Sequence, residues 1–167
     1  MITADYCRTM ARYNRWQNNG IRAVVGKMDE ADLTKERGAF FGSIFRTLNH
    51  LLWGDQLWLM RFGVGDGPAV GADQHDQLTG NIAEWDRLRF ITDGQITEWA
   101  GGLNSVDLAG DMEWRSALFD KTLTQPIGLC VTHFFNHQTH HRGQVHAMLT
   151  AAGQVLPDTD LTLMPES

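Results

Sequence analysis

Residues 130–144 read Cys-Val-Thr-His-Phe-Phe-Asn-His-Gln-Thr-His-His-Arg-Gly-Gln, and they hold four of the seven histidines of the chain. On a helix with about 100° per residue, His133 and His141 each lie about 40° from His137, on opposite sides of it. Cys130, Gln144 and Met148 fall within about 20° of His137 on the same wheel. The pattern predicts a helix whose core-facing stripe carries imidazoles.

Three more amphipathic patterns precede this helix. They cover residues 6–28, 43–62 and 78–100, and the histidine-bearing helix itself is expected from about Pro126 to about Ala152, with Gly153 as its stop. Four long helical patterns in a chain of 167 residues predict an all-α fold, a four-helix bundle.

The connections between these helices are polar or rich in glycine. Residues 29–38 indicate a linker with a short helical turn, residues 63–71 a loop, residues 104–115 a loop with a short extended piece at 108–114, and residues 156–167 an irregular tail. No repeat and no domain boundary is visible, so residues 1–167 are expected to form a single domain.

The net charge and the composition of the chain disfavour several classes of partner and location. The formal net charge is −6 and lysines and arginines are not clustered, which disfavours nucleic acid and anionic membranes. The apolar runs are too short to span a bilayer, and we see no signal peptide. The two cysteines rule out a disulfide framework, so a cytoplasmic protein is expected.

His137 and His141 are one helical turn apart, the spacing with which two imidazoles reach one metal ion. Gln138 stands where a zinc metalloprotease of the H-E-x-x-H type has its general base, and an amide cannot accept a proton from water, so that class is excluded. An isolated histidine pair is more often a surface or core feature than a site. Several imidazoles on an apolar face, however, each need a hydrogen-bond partner or a metal.

A metal site needs a third ligand from another helix, and the residues leave two candidates open. His50 is the softer, more zinc-like ligand. The helical wheel nevertheless places His50 away from the main apolar stripe of its helix and Asp55 inside it. His75 lies in a loop and is expected to be exposed to solvent.

The chain resembles the DinB-like (DinB/YfiT) superfamily. The resemblance is carried by motifs in the same order along most of the chain: Tyr13-Asn14-x-Trp16, Phe40-Phe41-Gly42-Ser43-Ile44, Leu48-Asn49-His50-x-x-x-x-Asp55-x-x-Trp58-Leu59 and His133-x-x-Asn136-His137-x-x-His140-His141-Arg142-Gly143-Gln144.

The resemblance implies a four-helix bundle, often dimeric, that holds a divalent metal with three histidines. By motif position these are His50, His137 and His141. His133, His140 and Asp55 match recurrent positions to which the resemblance assigns no ligand role. The ligand type favours zinc or nickel and also allows iron(II). The family name refers to DNA-damage induction and implies no DNA chemistry.

The resemblance also implies a function class. The family is said to include metal-dependent S-transferases and isomerases that use a low-molecular-weight thiol, and many members described as hydrolases. We therefore hypothesise a metal-dependent transferase or hydrolase with a small-molecule substrate and with no catalytic residue assigned. The alternative is a non-enzymatic, metal-stabilised dimeric bundle in a stress response.

A homodimer is expected because Trp53 and Leu57 make the second helix apolar on a second side.

Four other polar or reactive side chains, on α-helical patterns of the chain, are candidates for a structural or functional role. Gln144 and Arg142 could orient substrate or a metal ligand, although a structural ion pair is at least as good an interpretation for Arg142. Asp55 within an apolar stripe needs a partner, either a cation or an imidazole N–H. Cys130 is two turns from His137 and is interpreted as a small buried hydrophobe.

Overall fold

The computed structural model describes residues 2–116 and 119–166. In these residues the elements are, in chain order, α1 (Ala4–Val25), α2 (Glu30–Thr34), α3 (Ile44–Arg61), α4 (Ile82–Gly102), β1 (Asp111–Ser116), β2 (Lys121–Pro126) and α5 (Ile127–Ala151). Three short 3-10 turns lie at Ala72–Gln74, Ser105–Leu108 and Leu161–Leu163. The four long helices confirm the predicted all-α bundle, and α2 is the short helical turn expected in the first linker.

Three of the long helices, α1, α3 and α4, begin where a side chain caps their first turn. Thr3 Oγ1 accepts a hydrogen bond from Tyr6 N at 3.1 Å and starts α1, and Ser43 Oγ accepts one from Arg46 N at 3.2 Å and starts α3. The predicted start of α4 near residue 78 was wrong. Asn81 Oδ1 accepts from Glu84 N at 3.0 Å, so the helix begins only at Ile82.

The extended piece expected at 108–114 is one strand of a hairpin. Strands β1 and β2 pair antiparallel, with Trp114 opposite Leu123. The second strand was not predicted, because its residues were interpreted only as the approach to the last helix. Pro126 ends β2 and caps α5, which starts at Ile127. The tail has only the Leu161–Leu163 turn within residues 156–166, and Ser167 lies outside the described residues.

Two apolar clusters fill the bundle, one at each end. One cluster joins Ile21 and Val25 of α1, Leu48 and Leu52 of α3, Trp85 of α4, and Val145 and Leu149 of α5. The other joins Cys7 and Ala11 of α1, Trp58 and Leu59 of α3, Ile96 of α4, and Cys130, Phe134 and Phe135 of α5. Each cluster draws on all four long helices, so each ties the whole bundle together.

A buried polar layer lies between the two apolar clusters. Arg89 of α4 pairs with Asp55 of α3 at 2.6 Å and with Asp93 at 2.8 Å. Gln138 Nε2 of α5 donates to Asp55 Oδ1 at 2.9 Å, and Asn14 Nδ2 of α1 donates to Gln138 Oε1. Because each of these bonds needs a specific partner, together they determine the register of the helices relative to one another.

The apolar second side of α3, on which the dimer prediction depended, is partly covered within the chain. Trp53 Nε1 donates to the carbonyl oxygen of Val70 at 2.9 Å, in the loop that follows α3. The homodimer and the single domain over residues 1–167 stay predictions. In the part of the chain that the structure describes, no helix combines the length and the apolar character needed to cross a membrane.

Candidate metal centre

Three histidines from two helices converge on one point between α3 and α5. The Nε2 atoms of His50 and His137 are 3.2 Å apart, and the rings of His137 and His141 have centroids separated by 4.4 Å. One ring nitrogen from each of His50, His137 and His141 lies within 4.8 Å of the other two. The structure thus brings together the three residues that the resemblance singled out.

The other candidate for a third ligand, Asp55, lies in the polar layer instead. Its side chain is 1 % exposed, and its carboxylate is engaged by Arg89 and Gln138. The helical wheel was right that Asp55 faces the core. The core at that level is polar, however, and His50 lies at the edge of α3 that faces α5. The interpretation of Asp55 as the partner of a cation is confirmed, and its interpretation as a holder of an imidazole N–H is wrong.

The buried stripe of α5 is rotated relative to the predicted one. Gln138 is fully buried and Arg142 is 5 % exposed, because both face the polar side of the core. His141 is buried, His137 is half-buried and His133 is exposed. A wheel that treats only apolar residues as buried could not locate a stripe with an amide and a guanidinium at its centre.

Gly54 of α3 makes room for the ring of His137. A Cβ atom added at Gly54 would lie 2.8 Å from His137 Cε1, closer than such atoms approach one another. Glycine in a helix interior is destabilising by roughly 0.5–1 kcal/mol relative to alanine. Its presence one turn after His50 is explained by this close approach, which the sequence pattern gave no means of detecting.

The converging imidazoles are neutral at physiological pH. Burial, and then the charges of neighbouring histidines, lower the pKa of both His50 and His137 to about 3. Burial also lowers the pKa of His141, against an opposing effect of its hydrogen bond to Gln144. A neutral imidazole has a free lone pair, which is the form that binds a metal ion.

The distance between the Nε2 atoms of His50 and His137 fits a tetrahedral divalent cation. Imidazole nitrogens bound to zinc at about 2.0–2.1 Å in tetrahedral geometry are about 3.3 Å from one another. The 3.2 Å between Nε2 of His50 and Nε2 of His137 agrees with that value. The donor set contains three nitrogen atoms and no carboxylate, a combination that suits zinc, nickel and iron(II).

The second ring nitrogens of two of these histidines have their own partners. His141 Nδ1 lies 2.7 Å from Gln144 Oε1 on the next turn of α5. Because an amide oxygen only accepts, His141 Nδ1 carries the proton and leaves Nε2 free. His50 Nδ1 lies 2.9 Å from Nδ1 of His75. The expectation that His75 is exposed to solvent was wrong: it is half-buried against His50.

A pocket of about 400 Å³ opens beside two of the three histidines, His50 and His141. It is lined by Phe40, Phe41, His50, His75, His140, His141 and Gln144. The ring of Phe41 lies against His50, with centroids 4.2 Å apart, while Phe40 is 83 % exposed at the mouth. None of these lining residues is an acid, a lysine or an arginine, so the pocket offers aromatic, imidazole and amide groups only.

The remaining predicted residues lie outside the group of three. Cys130 is 3 % exposed inside an apolar cluster, as predicted. His140 is exposed at the rim of the pocket, 3.4 Å from Gln144. The ion pair considered for Arg142 is not found in the described part of the chain. Its guanidinium lies over the ring of Tyr13, 5.4 Å from the centroid.

Comparisons with known proteins agree with this fold. The chain is 24% identical over 164 residues to Protein DinB of Bacillus subtilis (strain 168), an alignment that covers 96% of this chain and 94% of that protein. It also resembles the crystal structure of a DinB-like protein from Bacillus cereus ATCC 10987, with a TM-score of 0.62 and 16% identity. That match covers 86% of this chain and 91% of the other, and it shows a shared fold.

A sequence profile decides the classification. The profile of the DinB family matches residues 1–167, the whole chain. The shared fold and the cluster of three histidines are both compatible with a metal-binding protein of this family. The chain belongs to the DinB family.

Proposed function

We propose that the protein binds one divalent metal ion through His50, His137 and His141. We further propose that it is an enzyme whose activity depends on this metal. The observation that carries the proposal is the convergence of three imidazole nitrogens within 4.8 Å of one another, from two separate helices. Zinc and nickel are the favoured metals, and iron(II) fits the same donors.

The three histidines would leave one position of a tetrahedral cation free, and the pocket is lined by two of them, His50 and His141. A divalent cation held by neutral imidazoles supplies a Lewis acid that lowers the pKa of a bound water or thiol. Gln144 holds the ring of His141 in place, and Phe41 packs against His50 and keeps water from that side of the ring. The aromatic lining of Phe40 and Phe41 suits a small, partly apolar substrate.

The lining of the pocket favours a thiol over water as the activated group. A thiol has a pKa of about 8.5, far below that of bulk water at about 15.7, so it needs less help to lose its proton. No carboxylate lines the pocket, so a general base for a hydrolysis would have to be one of the two imidazoles that are not proposed ligands, His75 or His140. We therefore place transfer involving a low-molecular-weight thiol ahead of hydrolysis.

A test of this function uses the protein loaded with Co²⁺ and titrated with 2-mercaptoethanol. Thiol binding at the open position is expected to produce a sulfur-to-cobalt charge-transfer absorption that saturates with thiol concentration. Ethylene glycol, of similar size but without sulfur, serves as the control and should leave the spectrum unchanged. A spectrum that does not respond to thiol while the metal stays bound would contradict the thiol part of the proposal.

The alternative, a metal that only stabilises a dimeric bundle, is less well supported. Helices α3 and α5 are already joined by the bond between Asp55 and Gln138 and by the two apolar clusters, all without a metal. The pocket beside the histidines would also have no purpose in a closed structural site, which uses all four positions of the cation. Homodimerisation remains a separate proposal, tested by light scattering.

A further inference from the structure

His75 is a fourth imidazole in contact with the cluster, and the three converging histidines do not account for it. Its Nδ1 lies 2.9 Å from Nδ1 of His50, and the two rings meet edge to face with centroids 4.7 Å apart. His50 therefore faces two partners, with Nε2 directed at His137 and Nδ1 directed at His75.

The loop that carries His75 is fixed to α3 at two positions that come just before His50. Asp76, which is 6 % exposed, accepts from Arg46 Nε at 2.7 Å, one turn before His50. Asn49 Oδ1 accepts from the backbone N–H of Thr79 at 2.9 Å and from its hydroxyl at 2.8 Å. These anchors hold the loop against the turn of α3 that presents His50, so the position of His75 is determined by the fold.

We propose that His75 is a positioning residue for the metal centre: its Nδ1 accepts the Nδ1–H of His50 and so directs Nε2 of His50 to the metal. The proposal rests on the metal site proposed above. A neutral imidazole carries a single N–H, so His50 must have it on Nδ1 whenever Nε2 binds a cation. His75 then offers the lone pair of its own Nδ1 and carries its proton on Nε2.

An imidazole acceptor differs from the carboxylate that often supports a metal-binding histidine. It fixes the tautomer and the orientation of His50 without adding negative charge. Three neutral ligands, with neutral partners at His50 and His141, would leave the positive charge of a bound cation uncompensated by these residues. The structure therefore assigns to His75 and Gln144 equivalent roles, one for His50 and one for His141.

The test compares zinc affinities of wild type, His75→Leu and His75→Asn, measured by competition with a chromogenic chelator. Leucine fills much of the space but accepts no hydrogen bond, and asparagine places its side-chain oxygen near the position of Nδ1. Loss of such a partner weakens metal binding about 10–100-fold, which is the expected result for His75→Leu. His75→Asn is expected to stay within about threefold of wild type. His146→Ala, which removes an imidazole on another side of α5, is the control.

Each other outcome overturns a defined part of the proposal. Equal weakening by leucine and asparagine would show that shape and not the hydrogen bond matters, and an unchanged affinity of His75→Leu would show no positioning role. X-ray absorption of the zinc-loaded His75→Asn protein should show as many imidazole ligands as wild type, and one fewer would make His75 a ligand. Failure of wild type itself to bind zinc would overturn the proposed function, and this inference with it.

Discussion

Gln138 Nε2 donates to Asp55 Oδ1 over 2.9 Å, and this bond joins α5 to α3 at the residue next to His137. The same carboxylate pairs with Arg89 of α4 at 2.6 Å. The separation of the imidazoles on α3 and α5 thus depends on a buried ionic layer beside them. The contribution of this layer to the stability of the protein can be tested directly.

Replacing Asp55 with alanine is expected to destabilise the protein by about 3 kcal/mol. The substitution removes a carboxylate that balances the positive charge of a buried guanidinium. The measurement is the free energy of unfolding in urea. Asp86→Ala is the control, since the Arg22–Asp86 pair has side chains 21% and 44% exposed. Loss of that more accessible pair should have an effect of about 1 kcal/mol or less. Equal effects of the two substitutions would contradict the role of the buried layer.

Replacing Gly54 with alanine should weaken metal binding without weakening the fold. The new Cβ would meet His137 Cε1 at 2.8 Å, and the ring, as the tip of a side chain, can move away from it. The metal-free protein is expected to keep or gain up to about 1 kcal/mol of stability, from the better helix propensity of alanine. Its zinc affinity is expected to fall about tenfold.

Gly94→Ala on α4 is the matched control for this substitution, since nothing lies within 4 Å of a Cβ added there. It provides the same gain in helix propensity and should leave the zinc affinity unchanged. If the Gly54→Ala protein bound zinc as tightly as the Gly94→Ala protein, the position of the His137 ring would not depend on the absence of a side chain at Gly54.

Much of the fold could be predicted because it depends on periodicity. Four apolar patterns defined the long helices, and Gly153, with φ of +79°, follows α5 as expected of a helix stop. The pairing of β1 with β2 could not be predicted, because a two-stranded hairpin of mixed residues has no strong alternation of its own. The start of α4 was misplaced because Leu78 is buried although it precedes the helix.

The candidate site was only partly predictable from the sequence. The pair His137 and His141 follows from one-turn spacing, whereas His50 was selected over Asp55 by resemblance alone. Gly54 and His75 were missed as contributors, because each acts through a contact between segments distant in sequence. Such contacts become visible only when the register of α3 against α5, and the path of the loop before α4, are known.

The stability of the metal-free protein should fall as the pH is lowered from 6.5. The pKa of His50 and of His137 is about 3 in the folded protein, against 6.5 for an ordinary histidine. Between these values the unfolded chain binds protons that the folded chain does not, so stability is complete above pH 6.5 and decreases toward pH 3. Urea unfolding at pH 7.5, 6.5 and 5.5 should show the decrease.

His137→Gln should make that dependence on pH shallower than it is in wild type. The change in slope between wild type and this variant separates the contribution of His137 from that of carboxylates, which contribute mainly at lower pH. An identical slope for wild type and His137→Gln would indicate that His137 is not held neutral in the folded protein.

Removal of the metal is expected to leave the bundle folded. The two apolar clusters and the polar layer connect all four long helices by themselves. Metal should add stability only through binding, about 2.7 kcal/mol when its free concentration is 100 times the dissociation constant. The measurement is circular dichroism with chemical unfolding before and after chelation. Loss of helical signal on chelation would favour the non-enzymatic, metal-stabilised bundle.

The central claim is that His50, His137 and His141 together hold one metal ion. The most direct measurement is the metal content of the purified protein after reconstitution with zinc and removal of excess metal, by emission spectroscopy, for wild type and for His50→Ala, His137→Ala and His141→Ala. We expect one zinc per chain in wild type and a loss of bound zinc in each of these three variants, with His146→Ala unchanged. Wild-type protein without stoichiometric metal, or a His50→Ala protein that keeps its zinc, would contradict it.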